Sequence, residues 1–453
     1  MMHLFAQKRR DYIAKSNIPE QPIIKSNDMP MGTKFTFVDF VPSYKGTDTD
    51  TGKPTYHSFG DLITIANRWL RTVYDWELVN CETGITSYLR DSDLYCVSIW
   101  ERQTRDAYHQ GVKDVNGPYV ESALSVLRLW MQKRVNPMLK IVNLSYIDFE
   151  PVRLSDGSFE NLDHVVARLN NEITSADGSS GRIINIETVN ISSETRDLTE
   201  CDPELTVCCN LNEIQGILQF VRVYLDDDEI SKRMTIGFKD FIPEHLSGGV
   251  FLKPEYESFS NISDRAMLWL SQDPELIFIS AETKEAPMKS RASLDTRRMR
   301  HYLAKSGLDY IRFIRIWFGK SLVDESPSTN DRRVSFVTSK IVSTKHTDNR
   351  PMCVTIEQTK LTVARWFDSI ESKLEIKGGK FIELFPKSKF DVKDEIENCY
   401  QAHNMFINRT KYLAAQIYFD VGPTIGVEKV ETIKYALVNK QTKAVKSMYC
   451  TIS

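Results

Sequence analysis

The sequence repeats a set of ordered landmarks three times, and this repetition constrains the fold more than any other feature of the chain. The first landmark, Asp-Phe-x-Pro at the end of a strand-like run, begins at Asp39, Asp148 and Asp240. The second, Ser-Phe at the start of a helical pattern, begins at Ser58, Ser158 and Ser258. A serine hydroxyl can accept a hydrogen bond from a free amide of the first helical turn, so we expect these three serines to be N-caps.

Two further strands complete each predicted unit. The earlier strand ends in Glu-Thr and is expected at residues 76–83, 182–188 and 276–283. The later strand ends in an aromatic residue and is expected at 94–100, 218–224 and 310–317. Each unit is therefore predicted as β-α-β-β. Helical patterns at 120–135 and 296–305 are interpreted as insertions, the first between units and the second inside the third unit.

The last quarter of the chain has elements in the same order but lacks the first two landmarks. We expect a strand near 352–356, a helix over 361–370, strands at 381–385 and 412–419, and a hairpin formed by 432–438 and 445–452. The sequence leaves open whether this region is a degenerate fourth copy.

A β-α-β-β unit covers one face of a small sheet with its helix and leaves the other face in need of a partner. We therefore predict an α+β protein of tandem ferredoxin-like or related units, packed into one body by contacts between sheets or strand edges. The predicted division is an N-terminal arm (1–30), three units (31–105, 139–230 and 231–325), a helical insertion (106–138) and a divergent fourth unit with the C-terminal hairpin (326–453).

Composition excludes several functional classes. The 58 Lys and Arg residues nearly balance the 61 Asp and Glu residues, which leaves a net charge of −3 and no basic field of the kind that nucleic-acid binders carry. No apolar run approaches the roughly 18 residues of a membrane span, and the basic start lacks the apolar core of a secretory signal. We expect a cytoplasmic protein with reduced cysteines, no cofactor, no metal site and no membrane partner.

The recurring glutamates are the best candidates for a binding site. Alternation along the strands places Glu82, Glu187 and Glu282 on the sheet face turned away from the helix. It places Val79 and Cys81, Ile184 and Ile186, and Ile279 and Ala281 beneath the helix. The candidate ligand-binding residues are Asn80, Glu82, Ser98, Arg102, Glu187, Arg222, Glu282 and Arg315.

Two interpretations of these residues compete. In one, the glutamates line a polar groove between units. In the other, which we favour, Glu187 with Arg222 and Glu282 with Arg315 are cross-strand ion pairs worth some tenths of a kcal/mol when exposed. The first unit is the exception, since the matching place on its predicted last strand is Ser98 and only the more distant Arg102 could reach Glu82.

Catalytic signatures are missing from the sequence: it contains no Gly-x-Ser-x-Gly, His-Glu-x-x-His or Gly-x-Gly-x-x-Gly. We therefore predict a non-enzymatic repeat protein that acts as a binding or scaffold module for a protein or a small ligand. One alternative is a small-molecule binder or enzyme with a site at a unit junction near Glu82. A weaker alternative is nucleic-acid binding through the basic and aromatic segment 291–320, against which stands its interpretation as a solvated helix face with core aromatics.

Overall fold

The structure is a computed structural model of the chain. It describes residues 33–50, 54–88, 122–134, 140–175, 181–193, 201–210, 216–230, 233–247, 254–273, 275–288, 294–302, 309–322, 334–338, 345–347, 350–352, 356–370, 375–384, 397–401 and 412–420.

Four helices and a larger number of short strands make up the described part of the chain, which is an α+β structure of small antiparallel sheets. The helices are α1 (Phe59–Leu70), α2 (Leu162–Ser175), α3 (Phe259–Gln272) and α4 (Ile356–Asp368). The strands are β1 (Phe35–Phe40), β2 (Tyr44–Thr47), β3 (Pro54–Tyr56), β4 (Trp76–Tyr88), β5 (Ser122–Lys133), β6 (Leu144–Phe149), β7 (Gly181–Ser193), β8 (Val207–Asn210), β9 (Gly216–Ile230), β10 (Met234–Phe241), β11 (His245–Ser247), β12 (Glu255–Tyr256), β13 (Leu276–Met288), β14 (Arg300–Tyr302), β15 (Asp309–Ser321), β16 (Val334–Thr338), β17 (Lys345–Thr347), β18 (Arg350–Met352), β19 (Glu375–Leu384), β20 (Tyr400–Gln401) and β21 (Tyr412–Asp420). None of these helices combines the length and apolar character that a membrane span needs.

Four of the sheets have the same strand order. Their paths are β1-β5-β4, β6-β9-β7, β10-β15-β13 and β16-β21-β19, so the strand that comes last in the chain lies in the centre each time. Both neighbours of each central strand are antiparallel to it. One helix connects the first and second strands of each set. We call the four sets of three strands and one helix the first to fourth units.

Each helix packs between its own sheet and the first strand of the next unit. Helix α1 contacts β6, α2 contacts β10, α3 contacts β16, and α4 contacts β1. The second strands also contact one another in the order β4, β7, β13, β19 and back to β4. The four units therefore form a closed ring, and their second strands surround a common axis, which we call the ring axis.

The four largest hydrophobic clusters of the described residues lie one at each junction rather than one in each sheet. The cluster around α1 joins Leu62 of the helix and Leu129 of its own sheet to Leu144 and Tyr224 of the second unit. The same arrangement recurs around α2 and α3. The cluster around α4 contains Phe35 and Phe37 of β1, so the last unit shares its core with the first. The uncovered sheet face is thus buried by a neighbour's helix, and not by a second sheet.

Asparagine side chains fasten two of these junctions. Asn67 of α1 donates to the Leu144 carbonyl at 2.7 Å and accepts from the Leu144 amide at 2.8 Å. Asn170 of α2 makes the same pair of bonds to Ile236 at 2.8 and 2.7 Å. These bonds satisfy backbone groups on the outer edge of β6 and β10 that sheet pairing would otherwise leave open.

The last strand of the first unit differs from the prediction. Residues 122–133 form the central strand β5, so the predicted helix at 120–135 is wrong. Both faces of β5 are buried, and the resulting near-continuous apolar run cannot be told from a buried helix by periodicity alone. The strand predicted at 94–100 lies outside the described residues.

The second predicted insertion is also not helical where it is described. Residues 300–302 form β14, which pairs with β9 of the second unit, so the predicted helix at 296–305 is wrong there. Strands β8 and β20 likewise pair with the central strand of the unit before their own. The segments that carry them also reach the preceding helix, since Glu204 accepts from the Gly60 amide at 3.1 Å and Glu397 from the Ser260 amide at 2.9 Å.

The observed first residues of the helices correct the predicted N-cap of the second unit. Ser58 and Ser258 are N-caps, as predicted, and accept from the amides of Asp61 and Asn261. The prediction for Ser158 is wrong, because α2 begins at Leu162 and Asn161 accepts from the His164 amide at 3.1 Å.

In the fourth unit, the predicted helix and the strand at 412–419 are confirmed by α4 and β21. The predicted strand at 381–385 falls at the end of β19, which starts earlier. The first strand of the unit is β16 and not the strand predicted near 352–356: Met352 ends β18, Ile356 begins α4, and 353–355 lie outside the described residues. The predicted C-terminal hairpin lies outside the described residues.

A β-bulge lies at the same place in the second strand of every unit. The register shifts between Leu78 and Asn80, Ile183 and Asn185, Phe278 and Ser280, and Ile376 and Gly378. The bulge explains why Val79, Ile184 and Ile279 were wrongly predicted to share a face with Cys81, Ile186 and Ala281. Each packs in a different cluster from its expected companion, and Leu78 joins Cys81 beneath α1 instead.

Candidate functional site

An aspartate, an arginine and a glutamate lie side by side across the sheet in each of the first three units. The arginine is on the central strand, the aspartate belongs to the Asp-Phe-x-Pro landmark, and the glutamate is the recurring one on the second strand. The sets are Asp39, Arg128 and Glu82; Asp148, Arg222 and Glu187; and Asp240, Arg315 and Glu282.

Each arginine is held by its aspartate through two parallel hydrogen bonds. Nε and Nη2 of Arg128 donate to Asp39 at 2.6 and 2.7 Å. The corresponding distances are 2.8 and 2.9 Å from Arg222 to Asp148, and 2.7 and 2.9 Å from Arg315 to Asp240. Such bidentate charged pairs are strong and geometrically specific, and here the arginine side chains are almost fully buried.

These contacts correct the predicted ion pairs. Arg222 and Arg315 do lie opposite Glu187 and Glu282, but their bidentate partners are the aspartates of the first strand, and the groups are buried rather than exposed. The first unit is not an exception either, because Arg128 occupies the place that the sequence appeared to leave to Ser98. Both Ser98 and Arg102 lie outside the described residues.

The second and third arginines also reach back to the preceding unit. Nη1 of Arg222 donates to the Thr83 hydroxyl at 3.2 Å, and Nη1 of Arg315 donates to the Thr188 hydroxyl at 3.1 Å. Each threonine directly follows the glutamate of its own strand. The arginine therefore connects the first strand of its unit to the second strand of the unit before it.

The glutamates of the second and third units also accept hydrogen bonds from the preceding unit. Glu187 accepts from the Thr83 amide at 2.8 Å, and Glu282 accepts from the Thr188 amide at 3.0 Å and from its hydroxyl at 2.6 Å. An aromatic residue two positions after each arginine donates to the glutamate of its own unit. The donors are Trp130 to Glu82 at 3.3 Å, Tyr224 to Glu187 at 3.1 Å and Trp317 to Glu282 at 3.0 Å.

The residue two positions before the glutamate also lies at a junction. Asn185 donates to the Cys81 carbonyl at 2.5 Å, and Ser280 donates to the Ile186 carbonyl at 2.6 Å. In the first unit, Asn80 lies directly against Gly378 of the fourth, where a β-carbon would collide with its side-chain amide. The absence of a side chain at Gly378 thus lets β4 and β19 approach closely at this junction, where the other two junctions have a hydrogen bond.

The fourth unit has different side chains at the same register. Thr338, Gln416 and Lys380 stand where the other units have aspartate, arginine and glutamate. Gln416 accepts from the Thr283 hydroxyl at 2.6 Å, so this contact to the preceding unit is kept. Nζ of Lys380 lies 3.7 Å from Glu187 and 3.5 Å from Glu282. One lysine therefore bridges the carboxylates of two other units.

Five charged residues meet at the ring axis: Glu82, Glu187, Glu282, Lys284 and Lys380. We call them the axis cluster. Lys284 lies two residues beyond Glu282 and donates to the Thr188 carbonyl at 2.8 Å. All three glutamate side chains are at most 4% exposed. Within the described residues, no group of three or more His, Cys, Asp or Glu side chains is placed to hold a metal ion.

The surroundings separate the pKa values of these groups. Burial raises the pKa of Glu82 to about 7, against the opposing attraction of Arg128 and Lys380. Burial would also raise the pKa of Glu282, but Lys284, Lys380 and Arg315 outweigh it and lower that pKa to about 2. Burial lowers the pKa of Lys284 to about 8, although Glu282 opposes the shift.

The basic and aromatic segment 291–320 provides little free positive charge where it is described. Arg312 and Arg315 are buried and bonded to Glu285 and Asp240. On the surface, Arg297, Arg298 and Lys320 lie within 4 Å of Asp163, Asp295 and Glu275. Phe313 and Trp317 are core residues. Arg300 stacks over Phe159.

Of the predicted ligand-binding residues that are described, all lie at unit junctions, and Glu82, Glu187 and Glu282 come together at the ring axis. Sequence reasoning missed Arg128, Lys380 and the paired aspartates. A signal for Arg128 existed: Arg128, Arg222 and Arg315 are each followed two residues later by Trp or Tyr. Extending the search for landmarks to that pattern would have selected β5 as the last strand of the first unit.

The chain matches no protein-family model, no curated protein and no solved structure. Any functional assignment therefore depends on the geometry of the chain itself.

Proposed function

We propose that the chain is a non-enzymatic scaffold in which four copies of one β-α-β-β unit, of ferredoxin-like or related type, close into a ring and bind a protein partner through loops. The common strand order, the common bulge and the repeated aspartate-arginine-glutamate register support the view that the units are copies. The fourth copy then retains the backbone arrangement while its charged residues have changed.

The charged residues that recur in the units support a scaffold rather than an enzyme. The three arginines are bonded to aspartates, and Glu187 and Glu282 accept hydrogen bonds from the preceding unit. Around Glu82, the indole of Trp130 and the guanidinium of Arg128 lie within 3.5 Å of the carboxylate. The contacts of these groups hold the units together, so they give no specific support to the alternative of a small-molecule site near Glu82.

The observation that carries the binding proposal is a pair of exposed apolar loops at the same place in two units. Directly after the landmark strands, Val152 and Leu154 of the second unit are 46% and 42% exposed, and Ile242 and Leu246 of the third are 36% and 60% exposed. Exposed apolar side chains that form a contiguous patch mark protein contacts, and we infer such a surface from the recurrence of these residues in two units. We call these two connections between a landmark strand and the following helix the apolar loops, although Leu246 lies within the short strand β11.

The proposal is tested by capture of partners from an extract with purified wild-type chain and two double variants. Leu154→Asp with Leu246→Asp places a charge in each apolar loop, and we expect it to reduce capture of the partner about tenfold or more. Leu268→Asp with Leu322→Asp is the matched control, since these leucines are 59% and 55% exposed on α3 and after β15.

Retention of one defined partner by the control, together with its loss from the loop variant, would support the proposal. Equal capture by both variants, or no partner of the wild-type chain at micromolar concentration, would overturn it. Circular dichroism of both variants establishes that each is folded before capture is compared.

A further inference from the structure

The negative charge of Glu82 is compensated by different groups from those that compensate the other two glutamates of the axis cluster. Glu187 and Glu282 accept backbone amide bonds and lie 3.7 and 3.5 Å from Nζ of Lys380. Glu82 accepts from the Trp130 indole at 3.3 Å and from Nη1 of Arg128 at 3.5 Å. The same guanidinium is already held by Asp39 at 2.6 and 2.7 Å. The negative charge of Glu82 is therefore the least well compensated of the three.

Charged and titratable groups face Glu82 from each strand packed around it. They are Arg128 on β5, Asp39 on β1, Lys380 on β19, Glu187 on β7 and Tyr418 on β21. The two cations attract the ionised form, whereas the two carboxylates and burial oppose it, and burial is the largest effect. The balance raises the pKa of Glu82 to about 7, while that of Glu282 falls to about 2 in a similarly buried position.

The position of Glu82 gives its charge a structural consequence. It lies on β4, which contacts β19 where the ring closes between the fourth and first units. When Glu82 is neutral, the positive charge of Lys380 has to compensate only the two carboxylates of Glu187 and Glu282. When Glu82 is ionised, a third buried carboxylate shares that lysine, and the cation nearest to Glu82, Nη1 of Arg128 at 3.5 Å, belongs to a guanidinium already held by Asp39.

We propose that Glu82 is a proton-operated lock on the ring: its neutral carboxyl stabilises the junction between the first and fourth units, and its ionised carboxylate loosens that junction. The direction follows from proton linkage. The closed junction binds a proton that the opened junction releases, so the stabilisation that Glu82 contributes is complete below the ordinary glutamate pKa of 4.5 and is lost as the pH rises through about 7.

The lock is tested by hydrogen exchange of the wild-type chain, with protection factors corrected for the intrinsic pH dependence of exchange. We expect the protection of β4 and β19 amides to decrease about tenfold or more between about pH 5 and about pH 7. Protection of β7 and β13, which face each other near Glu282, is expected to stay constant, since the pKa of Glu282 lies below this interval.

Glu82→Gln is the decisive variant, because glutamine resembles the neutral carboxyl in size and cannot ionise. We expect it to keep high protection of β4 and β19 at both pH values. Glu285→Gln changes a partly exposed carboxylate on β13 and is expected to leave the wild-type pH response in place.

Wild-type protection that does not change with pH, or a pH response that persists in Glu82→Gln, would overturn the lock. Carbon-13 NMR of labelled glutamate carboxyls in the wild-type chain gives an independent answer that needs no variant. The proposal requires one glutamate that titrates near neutral pH, and its absence would also contradict the proposal.

Discussion

The first three units and the fourth have the same strand order but differ in charge at the ring axis. In the first three, a glutamate faces the axis and a buried arginine lies beside it, opposite an aspartate. In the fourth, Lys380 faces the axis and Gln416 replaces the arginine. The backbone arrangement thus tolerates a complete change of side-chain charge.

The difference shows what a closed ring of like units requires. Four identical units would bring four buried carboxylates together, and each would be destabilised by burial and by its neighbours. Lys380 replaces one carboxylate by an ammonium that lies within 4 Å of two of the remaining three. We therefore expect Lys380, the one residue of opposite charge at this register, to stabilise the ring.

Substitution of a buried arginine in the first three units has the largest expected effect. In Arg222→Met, Asp148 remains about 1% exposed with no guanidinium beside it, and the bond to Thr83 of the first unit is lost. Breaking a buried pair on one side costs about 3–5 kcal/mol, and we expect this loss in the free energy of unfolding, measured by urea denaturation.

Two controls test whether the effect belongs to the buried pair. Gln416→Met changes the equivalent central-strand position of the fourth unit, where only neutral hydrogen bonds are lost, and we expect about 1–2 kcal/mol. Arg297→Met removes an ion pair whose side chains are 58% and 43% exposed, and we expect less than about 1 kcal/mol. Equal losses at the three positions would contradict the contrast between the units.

Substitution of the lysine that distinguishes the fourth unit has the next largest expected effect. Lys380→Met leaves Glu187 and Glu282 without their shared cation, and we expect a loss of about 2–3 kcal/mol in the free energy of unfolding, since the lysine side chain is 17% exposed and partly solvated. The loss should shrink when Glu282→Gln is combined with it, because one carboxylate no longer needs compensation.

A double-mutant cycle of Lys380→Met and Glu282→Gln measures this coupling directly. Lys320→Met is the control, since its pair with Glu275 has side chains that are 55% and 57% exposed. Additive effects in the cycle, or a loss at Lys380 no larger than that at Lys320, would show that the lysine does not compensate the glutamates.

The sequence predicted the parts of the fold that alternate or carry the landmarks. The second strands, the last strands of the second and third units and the strand at 412–419 are confirmed, because the Glu-Thr landmark locates the former and a terminal aromatic residue locates the others. The strand β5 was missed because the strand predicted at 94–100, which ends in Trp100, was taken as the last strand of the first unit, and the apolar run of β5 is equally compatible with a buried helix. Arg128 lies on β5 and was therefore missed as well, so the first unit was wrongly predicted to lack the arginine.

The axis cluster was only half predictable. The three glutamates recur with their landmark and were identified together. Lys380 follows no landmark, and its role depends on ring closure, which brings β19 against β4 although about 300 residues separate them in the chain. Spacing within one unit cannot reveal a contact of that kind, since the contact arises from how the units pack.

The smallest expected effect tests how far the likeness of the first three units extends along their helices. The Ser-Phe landmark equates Ser158 with Ser58 and Ser258, whereas the structure places Asn161 at the equivalent position before α2. Loss of an N-cap costs about 1 kcal/mol, so we expect Asn161→Ala and Ser258→Ala to lower the free energy of unfolding by about that amount.

Ser158→Ala is the matched control, because this exposed serine donates to Asp156 in the preceding turn and contributes no cap. We expect a change within about 0.5 kcal/mol. A larger loss of unfolding free energy in Ser158→Ala than in Asn161→Ala would show that Ser158 is the N-cap. The three Ser-Phe pairs would then be equivalent, and α2 would begin three residues earlier than the structure shows. The opposite result would show that Asn161, and not Ser158, is the residue of the second unit that corresponds to Ser58 and Ser258.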